Sequence, residues 1–78
     1  MGTTEMRIGL DVKWYTSRVT KTVVNDEIGD AYANDCDTLV IVCANGWTSG
    51  ADDAAEDEED IDVYLVYPPD DMRELEDY

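Results

Sequence analysis

Histidine is missing from all 78 residues. That absence excludes Ser-His and Cys-His nucleophiles, because no other side chain has an ordinary pKa suited to exchanging a proton near neutral pH. Cysteine is scarce, with Cys36 and Cys43 the whole complement. Extended chain over that interval spans roughly 23 Å, far beyond disulfide reach. The spacing is not the paired arrangement of a zinc site either. Unbridged thiols fit a reducing, cytoplasmic location. Long apolar runs are also lacking: the longest is about five to seven residues, too short to cross a bilayer. No basic stretch leads into an apolar run at the start, so no signal peptide is read there. A membrane is not an expected partner.

Positive charge is the largest shortage. Twenty acidic residues face five basic ones, a net charge of −15, and the only lysines are Lys13 and Lys21. Such a surface repels nucleic acid at ordinary ionic strength, so nucleic acid is not an expected partner at low salt. Three explanations compete. Acid scattered from Asp11 to Asp77 with sparse lysine suits molar salt, where the Debye length falls to about 3 Å and self-repulsion is screened. It also suits a nucleic-acid mimic that captures a basic partner, or ordinary solvated acid on an ordinary domain. The pattern resembles the proteomes of salt-in haloarchaea, which points to halophilic adaptation. A chain this short forms a single small domain and buries only about 60% of its unfolded surface, so it needs a well-patterned core or a partner.

What is present is alternation between two periods. After a lead-in over residues 1–5, Met6, Ile8, Leu10, Val12 and Trp14 alternate with Arg7, Asp11, Lys13 and Tyr15, which predicts a strand with one buried apolar face. Thr16 or Ser17 is placed to cap a helix carrying Val19, Val23, Val24, Ile28, Ala31 and Tyr32 as an apolar stripe. The β-branched composition of residues 19–24 leaves a hairpin through Thr16 and Ser17 as the rival. A turn at residues 34–37 precedes Thr38–Cys43, a continuous apolar run expected at the centre of a parallel sheet with both faces buried. Thr48 or Ser49 then caps a short helix to about Glu59, with Ala51, Ala54 and Ala55 inside. The acid run over residues 56–60 reads as the solvated end of that helix. It lacks the alternating ligands and central glycine of a calcium loop. A third strand over residues 61–67 stops at Pro68 and Pro69, and Met72 and Leu75 are docking residues of a C-terminal helical turn. The expected fold is therefore α/β, a three-stranded, mostly parallel sheet in β-α-β-α-β order.

The strand bearing Asp11-Val12-Lys13 is followed by a helix and a buried strand. Next come Asn45-Gly46-Trp47-Thr48-Ser49-Gly50-Ala51, an alanine-bearing helix and Ile61-Asp62-Val63-Tyr64-Leu65-Val66. This order resembles the C-terminal half of the restriction-endonuclease-like fold, in its Mrr-type branch. The resemblance implies that Asp11 is a catalytic metal ligand for magnesium or manganese. It also implies that Lys13 is a catalytic residue, stabilising charge on the attacked phosphate. In that family a second acid lies on a preceding strand; here Glu5 is the only upstream candidate, so a dimer mate would have to complete the site. Without the resemblance, Asp11 and Lys13 read as an exposed pair on one strand face, and no cofactor is called for. Residues 45–50 offer the free amides of a strand-to-helix turn but lack the lysine of a phosphate loop, and read as structural. Trp47 reads as a lid on the sheet.

These features suggest a small acidic protein acting through a protein partner or a homodimer. The alternatives are a metal-dependent nuclease completed by dimerisation and an acidic DNA-mimic inhibitor.

Overall fold

The computed structural model describes residues 6–69. Five elements follow the chain: β1 (Ile8–Lys13), α1 (Lys21–Ala33), β2 (Thr38–Cys43), α2 (Ser49–Asp57) and β3 (Asp62–Val66). The three strands form one all-parallel sheet in the order β1-β2-β3. Parallel neighbours need crossovers, and right-handed crossovers in an order that advances one way put both helices on the same face. The helices accordingly pack against each other as well as against the sheet. The rival hairpin is excluded, because β1 pairs with β2 in parallel across α1.

The register defines two faces. Toward the helices point Gly9, Leu39 and Val63, then Asp11, Ile41 and Leu65, then Lys13 and Cys43. Away from them point Ile8, Thr38 and Asp62, then Leu10, Val40 and Tyr64, then Val12, Val42 and Val66. The core lies between sheet and helices: Leu39, Ile41 and Cys43 meet Val24, Ile28 and Ala31 of α1 and Ala51 and Ala55 of α2. Alanine on α2 lets the helices approach closely, since small side chains bring the backbones together.

Helix boundaries differ from the expected caps for a physical reason. Neither Thr16 nor Ser17 caps α1, which begins at Lys21 with Thr20 as its N-cap residue. Residues between are used elsewhere: Val19 forms a parallel bridge with Trp47, its amide donating to Gly46 O (2.9 Å) and its carbonyl accepting from Thr48 N (3.0 Å). Tertiary pairing thus outweighs the local capping signal. At the far end, Asp35 adopts φ 56°, Cys36 N donates to Ala31 O (2.9 Å) and Asp35 N donates to Tyr32 O (3.1 Å). That is a Schellman termination, which satisfies carbonyls the helix leaves over. Helix α2 starts as expected, with the Thr48 hydroxyl accepting from Ala51 N (3.2 Å), and ends at Asp57. Gly46 has φ +80°, and a Cβ there would sit 3.0 Å from the Tyr67 hydroxyl, so the turn after β2 needs glycine. The expected C-terminal helical turn with Met72 and Leu75 lies outside the described residues.

The expected burial of β1 is corrected. The apolar set Met6, Ile8, Leu10 and Trp14 is exposed, and the polar set Asp11 and Lys13 turns inward, half-buried. Strand β2 is central and parallel as expected, but helices cover one of its faces rather than both.

Candidate functional site

Asp11 and Lys13 lie two residues apart on β1 and so share its inner face. Above them runs α1, whose buried residues Val24, Ile28 and Ala31 turn one side toward the sheet. Glu27 is three residues after Val24 and four before Ala31, so helical geometry aims it at the same place. The Lys13 ammonium meets both acids, at 2.7 Å from Asp11 Oδ2 and 3.1 Å from Glu27 Oε1. The lysine and glutamate side chains are only 17% and 18% exposed, so water screens the cluster poorly. The Asp11 contact is ionic rather than a well-aligned hydrogen bond. The Tyr15 ring lies 5.8 Å from the same ammonium and adds a cation-π contact.

Each group's protonation follows from this crowding. Burial works to raise the Asp11 carboxyl, but its close contacts with Glu27 and Lys13 and the lysine's charge outweigh it and hold Asp11 below the ordinary range. Glu27 moves up, chiefly through the facing Asp11 carboxylate and then through burial, with Lys13 opposing. As pH falls, Glu27 therefore takes a proton before Asp11 does. The Lys13 ammonium is held above its usual pKa, first by Asp11 and then, against the cost of burial, by Glu27.

An open pocket of about 250 Å³ adjoins the cluster, lined by Gly9, Asp11, Glu27, Ala31, Cys36 and Leu39 among others. Gly9 leaves this space, since a Cβ there would stand 3.3 Å from Cys36 Sγ. The expected pair Asp11 and Lys13 is thus brought together and joined by Glu27, the residue that sequence reasoning missed. The signal was available: Glu27 is an acid inside an apolar helical stripe. Glu5, the acid considered in its place, lies outside the described residues.

The cluster does not fit a resident magnesium or manganese ion. Such an ion seeks several oxygens around an open position. Here the ammonium of Lys13 stands between the two carboxylates, where the cation would sit. Among the described residues, no group of three or more histidine, cysteine or acidic side chains could hold a metal.

The other sequence candidates serve the fold. Trp47 packs against the core, pairs with Val19 and meets the Tyr67 ring at a tilt of 39° with centroids 5.0 Å apart. Both cysteines are free thiols, Cys43 buried and Cys36 beside the pocket. Desolvation pushes the Cys43 thiol up, which makes it a poor nucleophile.

The second candidate is the open sheet face. Leu10 is 67% exposed and Ile8 60%, with Tyr64 and Met6 also more than half exposed. Between them lie the partly covered Val12, Val40 and Val66 and the buried Val42. Asp62 is the one charged side chain in that nine-position grid. Compared with known proteins, the chain matches no family model, no curated protein and no solved structure. Among the described residues no helix is long and apolar enough to cross a membrane.

Proposed function

We propose that this chain is a non-catalytic interaction protein, adapted to high salt, that acts by applying the open face of its sheet to a protein surface. One observation carries the reading: among the described residues, Ile8, Leu10 and Tyr64 stand exposed on the sheet face away from the helices, beside the partly covered Val12, Val40 and Val66, on a chain otherwise rich in acid. Exposed apolar residues scattered singly need no explanation, whereas a continuous plate of them marks an interaction site. The acidic remainder keeps the chain soluble and repels wrong partners.

A nuclease descended from the restriction-endonuclease-like fold is the competing reading. Glu27 favours it by supplying a second carboxylate within the chain, so a dimer mate would not be needed for that acid. Lys13 opposes it, because its ammonium is engaged by both acids rather than offered to a phosphate. A cleavage assay decides between them, run on DNA in molar potassium chloride with magnesium or manganese. The expected result is no cleavage by wild type. Cleavage that disappears with Lys13→Ala, while circular dichroism shows that variant folded, would reverse the assignment.

A further inference from the structure

We propose that Asn45 is a self-modifying site: when the turn after β2 opens, its carboxamide is converted, with water as the only co-reactant, to aspartate or isoaspartate, and the change unfastens the ends of β1 and β2.

The chemistry begins with the neighbouring residue. An asparagine side chain is open to attack at Cγ by the backbone nitrogen of the next residue, and a Cβ on that residue obstructs the approach. The chain has three asparagines and no glutamine. Asp26 follows Asn25 and Asp35 follows Asn34, whereas Gly46 follows Asn45. Glycine leaves the nitrogen unobstructed and the backbone free to reach the attacking geometry. Asn45 is also exposed, so water reaches it. The Gly46 nitrogen gives its proton to solvent and bonds to Asn45 Cγ. The Cγ–Nδ2 bond breaks, and Nδ2 leaves as ammonia with a proton from water. The resulting cyclic imide takes up one water. Cleavage between Cγ and the Gly46 nitrogen gives aspartate. Cleavage between the Asn45 main-chain carbonyl carbon and that nitrogen gives isoaspartate, with the main chain rerouted through Cβ and Cγ. Nothing is oxidised or reduced.

The fold holds this reaction back. Asn45 Nδ2 donates to Tyr15 O, beyond the end of β1. Gly46 N donates to Cys43 O (3.4 Å), and Gly46 O accepts from Val19 N (2.9 Å). The carboxamide and the attacking nitrogen are thus each turned to a different partner, and both partners must be released before the two can meet. The reaction proceeds through local opening, at a rate set by the opened fraction.

The product does not restore what was released. Aspartate sets a carboxylate against the Tyr15 carbonyl, two acceptors with no hydrogen between them. Isoaspartate adds a methylene to the main chain of a turn already packed against Tyr67, where a Cβ on Gly46 would stand 3.0 Å from the hydroxyl. Either product strains the Gly46 and Trp47 pairing with Val19 that precedes α1.

Peptide mapping by mass spectrometry, with aspartate and isoaspartate products separated by chromatography, tests this on the full chain held in mildly alkaline buffer, folded and in unfolding urea. In urea, Asn45 should convert at least about ten-fold faster than Asn25 or Asn34, and Gly46→Ala should remove that lead. Equal rates at the three asparagines overturn the site. In the folded chain, Asn45 should convert at least about ten-fold more slowly than in urea. Equal rates folded and unfolded overturn the gating by the turn. Converted chain, purified from the unconverted, and Asn45→Asp should both unfold at lower urea than wild type. Midpoints that match wild type overturn the unfastening of β1 from β2.

Discussion

On the helix-covered face of the sheet, the fully buried Ile41 and Cys43 lie beside Asp11 and Lys13; on the other, Ile8, Leu10 and Tyr64 stand in solvent. Both faces of β1 depart from the usual placement, with charge turned inward and apolar side chains turned out. The inward charges are tolerable because β1 is an edge strand and Glu27 completes a cluster that leaves none of the three alone. A buried charge is costly when unpaired and much less so when paired and hydrogen-bonded. The outward residues have no such compensation within the described residues, and the proposed interaction rests on them. The difference separates two kinds of requirement: one face holds the fold, and the other, on the proposed reading, serves contact.

The hardest test of that division is Ile41→Ala. Ile41 is fully buried at the centre of the covered face, and its loss should cost about 2–5 kcal/mol, visible as a collapse in the thermal midpoint. A small effect would mean that the helix-covered face is not the core. Removing Lys13 comes next. Lys13→Ala leaves two carboxylates facing each other and should destabilise by about 1–3 kcal/mol at neutral pH in urea titration. Because the folded pKa of Lys13 is raised, its contribution is complete below 10.5 and is lost only as pH rises through the folded value. An undiminished contribution at strongly alkaline pH would refute the ion-pair account.

Glu27→Gln sharpens the same cluster. The folded pKa of Glu27 lies above its ordinary 4.5, so its favourable contribution is present in full below 4.5 and is lost as pH rises through the folded value. At neutral pH the glutamine variant should match wild type or exceed it by up to about 1 kcal/mol. That advantage should shrink as the solution is acidified toward 4.5, and one that grew instead would contradict the assignment. Asp11 behaves oppositely: its stabilisation is present above 3.8 and disappears as pH falls through its lowered folded value. The smallest effect belongs to the open face. Leu10→Ser should shift folding stability in urea titration by no more than about 0.5 kcal/mol. A loss comparable with that of Ile41→Ala would erase the contrast between the faces.

Much of the architecture was legible from local pattern. The β-branched run Thr38–Cys43 identified the central strand, Thr48 the start of α2, and the stripe through Val24, Ile28 and Ala31 the side of α1 that is buried. The site was half legible. Asp11 and Lys13 share a face because strands repeat every two residues, but Glu27, fourteen positions beyond Lys13, joins them only when α1 lies back over β1.

Sequence by itself therefore determined the elements, their order and the acidity of the surface, because periodicity, capping and charge are local properties of the chain. Only the tertiary structure decided which side of β1 is inside. Alternation shows that a strand has two unlike faces and cannot tell which will be covered. That choice was made by both crossovers placing their helices on one side of the sheet, leaving Ile8, Leu10 and Tyr64 on the other.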